Sequence, residues 1–348
     1  MSYGGAKHNP WLSAVIAIIL GLAGSYIIAS LAAKYPSVTI IQSSQQILGK
    51  WLGKLIGLIY ITVSIMLAAT FTRDFVELFL NFIFPYVPLT ILVLLTLATS
   101  ACIIRIGLVG IGRLAELLVP LLVGAIIIGV ILSIDNVNYI PAITLQQSWS
   151  ALLTDALAHV PYLGLVMAWL FLYPFIPQQS QTPKTMYVSL LIVGLALILV
   201  SSIIVAVYGP FIPPHLNYQF YSTIRLIEIG SFLRGVEILF LMGWTSTSIM
   251  AITLFYFIAV VSVHQWLGFK LHDERPLIIP LGIICAAGAI FGFDCYEHLR
   301  SFYSLENFGR LALPIEFGLP LFLLLVSYFK ERFTPVDSLH AHTPAKDS

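Results

Sequence analysis

The sequence predicts an all-α integral membrane protein with nine transmembrane helices. Three observations carry that reading. Hydrophobic residues make up 59% of the 348-residue chain and charged residues only 9%, where soluble domains carry about a quarter charged residues. The apolar runs are helix-length: a bilayer core about 30 Å thick takes roughly 20 helical residues, and the short alternating strands of a barrel are absent from the pattern. The basic residues between the runs are distributed unevenly between alternate connections.

Taken in order, the predicted spans cover 11–31, 53–79, 88–104, 109–133, 148–176, 185–208, 235–264, 276–292 and 306–329. Met1 to Pro10 lead straight into the first span without a small-residue cleavage site, so insertion is expected through the spans themselves. Placing the C-terminus inside, with Lys330 and Arg332, gives inner connections holding Lys34, Lys50, Lys54, Arg105, Arg113, Lys184, Lys270 and Arg275. The outer ones then hold Lys7, Arg73, Arg225, Arg234, Arg300 and Arg310, most with acidic neighbours. The connection with Lys34, Lys50 and Lys54 has no acid and is the strongest vote for this orientation, which leaves the N-terminus external. Residues 1–333 read as one transmembrane domain and 334–348 as a polar cytoplasmic tail.

Composition and motifs exclude several functions. A net charge of +1 spread over connections leaves no footprint for nucleic acid. Cys102, Cys285 and Cys295 have no paired spacing, and the histidines lack metal-ligand spacing. No phosphate loop or nucleophile elbow appears, so neither an enzyme nor a cofactor nor a metal site is predicted.

Polar and helix-breaking residues inside the spans are the informative ones, because they are costly there. In the second span Gly53, Gly57, Tyr60 and Ser64 share one face, either lining a ligand or forming a small-residue seam between helices. In the fifth span Asp155, His159, Pro161, Tyr162 and Gly164 interrupt an apolar stretch. The alternatives are a broken helix with free backbone groups or an ordinary proline kink. The seventh carries Trp244, Thr245, Ser246, Thr247 and Ser248, whose hydroxyls either face a ligand or bond back to their own helix. Arg234 with Glu237 and Arg113 with Glu116 are spaced to pair as anchors. Glu316, between Pro314 and Pro320, is either a functional intramembrane charge or a shallow partner of Arg310. Gly112-Arg113-Leu114-Ala115 and Gly309-Arg310-Leu311-Ala312 open the fourth and ninth spans on opposite sides. Inverted repeats would place them so: 1–133 an incomplete repeat of four helices and 148–333 a repeat of five.

An ordered set of motifs covers nearly the whole chain: Lys34-Tyr35-Pro36, Ile47-Leu48-Gly49-Lys50, Leu52-Gly53-Lys54, Gly110-Ile111-Gly112-Arg113-Leu114-Ala115-Glu116, Tyr173-Pro174-Phe175, and Arg234-Gly235-Val236-Glu237 with Trp244. In that order they resemble the endospore germination permeases, the B-type subunits of spore germinant receptors. The resemblance implies the inverted-repeat fold of amino-acid/polyamine/organocation transporters, with ten helices arranged five and five. It also implies an A-type receptor subunit and a C-type lipoprotein as partners in the inner spore membrane. The family's first helix precedes a segment similar to Asn9-Pro10-Trp11-Leu12-Ser13, so one leading helix is missing from the nine-span reading, through a late start codon or a truncation.

Carried onto this chain, the resemblance implies a ligand site from the second, fifth and seventh spans: Tyr60 and Ser64; Tyr162, Leu163 and Gly164; Thr245, Thr247 and Ser248. The segment 221–233, with Arg225 and Glu228, is expected to cap it as an external helix. Three functions follow: a nutrient-sensing receptor subunit, a transporter of amino acids or similar solutes, or a ligand-independent subunit.

Overall fold

A computed structural model describes residues 10–139, 149–177, 179–227, 237–268 and 274–333. All regular structure among them is helical. The chain runs α1 (Pro10–Lys34), α2 (Ile40–Leu48), α3 (Lys50–Phe82), α4 (Leu89–Ile106), α5 (Leu108–Leu132), α6 (Trp149–Gly164), α7 (Trp169–Leu172), α8 (Thr182–Tyr208), α9 (Gln219–Ile224), α10 (Glu237–Leu267), α11 (Ile278–Phe291), α12 (Tyr296–Phe302), α13 (Arg310–Leu313) and α14 (Leu319–Phe333). Eight helical segments among the described residues are long and apolar enough to cross a membrane, and the apolar helix Arg275–Phe291 is shorter. Together they coincide with the nine expected spans. The protein is an all-α, multi-pass membrane protein.

The centre of the bundle is α3 against α10, with α4 and α11 completing the main core. A second group forms around α1, which packs on α6, α8 and α14. Helix α5 leans on α10 but leaves most of its surface uncovered, exposing Leu117, Val119, Ile127 and Ile131, as suits a lipid-facing helix. Gly107, at φ 89°, makes the turn that separates α4 from α5, a conformation that side chains with a Cβ rarely adopt.

Several boundaries differ from the sequence expectation. The connection with Lys34, Lys50 and Lys54 is not plain loop: α2 lies within it, burying Ile40, Ile41, Ser44 and Ile47 at helical spacing. A Cβ on Gly53 would fall 2.3 Å from the Gln45 backbone, so only glycine admits α2 at this distance from α3. Helix α3 runs to Phe82, and Arg73 is a buried residue rather than a charge in an outer connection. Its guanidinium is 2.8 Å from Glu77 Oε1 and donates to the Ala289 carbonyl at 3.0 Å, in the last turn of α11. The orphan carbonyls and negative dipole end of α11 are thereby answered by a cation. Arg113 and Glu116, spaced to pair, are both exposed and form no ion pair among the described residues. Arg234, the tail 334–348, Glu228 and the rest of 228–233 lie outside the described residues.

The fifth span is wound in sections. Helix α6 continues through Pro161 to Gly164, then tightens to a 3₁₀ turn over Leu165–Ala168 before α7 and a further 3₁₀ turn at Tyr173–Phe175. The change in winding thus follows the His159–Gly164 segment instead of falling within it. The last span is equally irregular, with π turns at Leu305–Gly309 and Pro314–Gly318 on either side of α13.

Candidate ligand site

The small-residue face of α3 is used for packing. Gly53 meets α2, and Gly57 faces Trp266 and Ile41. Tyr60 is 0% exposed, its ring 5.7 Å from that of Phe171 in an edge-on pair, and its hydroxyl donates to the Ile315 carbonyl at 3.3 Å. Ser64, also fully buried, donates back to the Tyr60 carbonyl at 2.8 Å. On α10, Thr247 donates back to Gly243 at 2.9 Å and Ser246 to Met242 at 2.7 Å. Thr245 and Ser248 are half-buried, and neither hydroxyl has a hydrogen bond among the described residues. Tyr162, Leu163 and Gly164 lie at the end of α6, and their side chains fall outside the described residues. Glu237 is the first residue of α10.

A cavity of about 690 Å³ opens at the end of the bundle that the charge bias assigns to the outside. The three expected helices line it, but with different residues: Phe71, Asp74 and Leu78 from α3, His159 from α6, Phe240 and Trp244 from α10. Tyr218, Gln219 and Tyr221 contribute from α9 and its cap, and Tyr296, Glu297, Arg300 and Tyr303 from α12 and the turn after it. Asp74 lies fourteen positions beyond Tyr60 on the same helix, roughly 20 Å along its axis.

Tyr218 joins these parts. It takes a left-handed backbone conformation, φ 49°, which is uncommon for a residue other than glycine and points to a locally constrained position. Its hydroxyl donates to the Asp74 carbonyl at 2.8 Å and lies 3.5 Å from Asp74 Oδ1. Burial first, and then the Asp74 carboxylate, push this hydroxyl above its ordinary range, so it remains a donor. The Tyr218 ring lies 5.0 Å from that of Tyr296 and 6.4 Å from that of Trp244, and Trp244 stacks on Phe75 at 5.8 Å. Above them, Arg225 lies over the rings of Phe82 and Tyr221. The cavity therefore presents the Asp74 carboxylate from α3 within an aromatic wall, with Glu297 and the guanidinium of Arg300 lining it from α12. A carboxylate beside aromatic faces suits an ammonium, and the guanidinium suits a carboxylate.

The sequence profile of the family described as Spore germination protein matches residues 4–291. This chain belongs to the spore germination protein family. Spore germination protein KB of Bacillus subtilis (strain 168) is 24% identical to it over 335 residues, 94% of this chain and 88% of that protein. Spore germination protein YndE of the same organism is 33% identical over 113 residues, 32% of this chain and 31% of that protein. This germination protein is accordingly a membrane subunit of permease type, and the resemblance read from its motifs holds. Sequence reasoning had singled out His159 and Trp244 among the cavity residues without assigning them there. It missed Asp74, whose signal was the charge cluster Arg73-Asp74 with Glu77 inside an apolar pattern that continues to Phe82, and Tyr218, Tyr296 and Arg300, which the fold brings there from connections remote in sequence.

Proposed function

We propose that the protein is the nutrient-sensing membrane subunit of a spore germinant receptor, binding a small germinant such as an amino acid in the outer cavity. The observation that carries this reading is the cavity itself: a pocket of solute size in a member of a spore germination family, with Asp74 and Arg300 on its walls. A charged and aromatic lining of this kind orients a small polar ligand. Binding favours one arrangement of the helices, and the partner subunits, an A-type receptor subunit and a C-type lipoprotein, respond to that shift. Thr245 and Ser248, next along α10 from Trp244, together with Tyr162, Leu163 and Gly164, are proposed as deeper contacts. Tyr60 and Ser64 support the helices that carry them. The two halves, 1–133 and 148–333, are proposed as inverted repeats whose relative motion is the response.

Deleting the gene and following dipicolinate release from purified spores over a panel of amino acids and sugars tests the proposal. Loss of the response to one nutrient, restored by this chain and by its Asp74→Asn variant only at much higher nutrient concentration, is the expected result. Nutrient uptake by growing cells with no germination defect would favour a transporter instead. An intact complex with no nutrient dependence would identify a ligand-independent subunit.

A further inference from the structure

Glu316 is a buried acid that the outer cavity does not use. It is 1% exposed, and neither carboxyl oxygen has a hydrogen-bond partner among the described residues. The backbone around it is arranged without its help. In the π turn Pro314–Gly318 the Leu319 N–H reaches the Pro314 carbonyl. The next donor in that register would be residue 320, a proline without an N–H, so the Ile315 carbonyl is left over and the Tyr60 hydroxyl takes it. On the other side, α1 seats directly on the turn: a Cβ on Gly24 would fall 2.1 Å from the Phe317 ring. Ser25, the next residue, is also fully buried with an unpartnered hydroxyl.

Titratable groups on the packed elements are few. Tyr60 is committed to Ile315. On α6, His159 Nδ1 donates to the main-chain carbonyl of Asp155 at 2.7 Å, one turn back along its own helix, and the Asp155 side chain is buried. On α1, Tyr26 faces outward and Lys34 lies over the Tyr328 ring at the inner end, the region of α14 that also carries Lys330. Arg310 of α13 is exposed, so the shallow Glu316–Arg310 pair anticipated from spacing does not form. No cluster of three or more metal-ligating side chains occurs among the described residues. An ionised carboxylate without a counter-charge is far costlier to bury than the neutral acid.

We propose that Glu316 is a proton-binding site at mid-bundle, holding its proton while α1 packs on Phe317 and releasing it when that contact opens. In the release step the carboxyl O–H bond breaks, the carboxylate keeps the electron pair, and the proton passes to water admitted by the opening. The α1–Phe317 contact is thereby coupled to pH.

The first test is infrared difference spectroscopy of the full chain in lipid nanodiscs, wild type against Glu316→Gln. At neutral pH the expected difference is the carbonyl stretch of a protonated carboxylic acid, present in wild type and lost in the variant. A carboxylate band in its place would show an ionised, cation-paired Glu316 and overturn the proposal. Should Glu316→Gln fail to accumulate, Glu316→Asp keeps an acid there and must shift the band; an unshifted band overturns it equally. This arm needs no germinant and stands apart from the receptor reading. The second test uses spores with the partner subunits intact. The wild-type nutrient response is expected to fall about tenfold per pH unit on the acid side of the titration, as for one proton. The Glu316→Gln response should be flat with pH at equal protein abundance. A Glu316→Gln variant that keeps the wild-type pH profile would overturn the release step.

Discussion

Asp74 has Tyr218 as its polar neighbour on a cavity wall otherwise mostly apolar, so the proposed recognition of a small germinant is tested most directly at this residue. Replacing it with Asn keeps the shape and removes the charge. A hydrogen bond to a charged group contributes about 1.5–3 kcal/mol, so Asp74→Asn is expected to raise the half-maximal germinant concentration about 10- to 100-fold. Germination curves over a concentration series measure this, and an unchanged midpoint would remove Asp74 from the site. Tyr60→Phe provides the contrast. Its hydroxyl serves the Ile315 carbonyl, so the expected loss is about 0.5–1.5 kcal/mol of stability, read as a lower melting temperature, with the midpoint unchanged. At this scale the sequence was readable for chemistry but not for depth. Tyr60 and Ser64 were correctly marked as sharing a face, yet nothing in their spacing tells whether a hydroxyl meets a ligand or a neighbouring carbonyl. The left-handed Tyr218, which brings a connection back onto Asp74, depends on contacts remote in sequence and leaves no local signature.

Helix existence was far more legible than helix partnership. Each of the nine apolar runs is a helix because lipid leaves the backbone no alternative, and this constraint acts on every residue of a run. The short helix α2 escaped because its apolar residues, Ile40, Ile41 and Ile47, sit among Gln and Ser, and its glycine-mediated seat on α3 is a tertiary property. Gly53→Leu should therefore displace α2, at about 1–3 kcal/mol, and lower the protein's abundance in membranes; wild-type abundance and melting would contradict the packing described. The Arg73 link between α3 and α11 leads to a second expectation at this scale. Arg73→Ala leaves Glu77 buried without its cation and should cost about 3–5 kcal/mol, whereas joint replacement of Arg73 and Glu77 by apolar residues should cost less than the two single changes added together. Melting of the four purified proteins closes that cycle.

For the whole molecule, the argument depends on which face of the membrane the cavity meets. The basic residues Lys34, Lys54 and Lys330 gather at the opposite end, where Lys34 lies over Tyr328, Lys54 over Trp266, and Lys330 donates to the Gln46 carbonyl. Their concentration there places that end inside by the positive-inside rule, and so turns the cavity outward. Cys295, exposed at the start of α12, sits at the cavity end, while Cys285 is buried in α11. In a Cys102→Ala background, a membrane-impermeant maleimide added to intact cells is therefore expected to label Cys295 nearly completely. Cys285 should stay unlabelled until the protein is denatured. Labelling of Cys295 only in inverted vesicles would reverse the entire arrangement. The cavity would then meet the cytoplasmic face, and a nutrient arriving from outside would have to cross the bundle before reaching Asp74. That geometry belongs to a transporter's inward-open state and not to a receptor that samples the spore's surroundings.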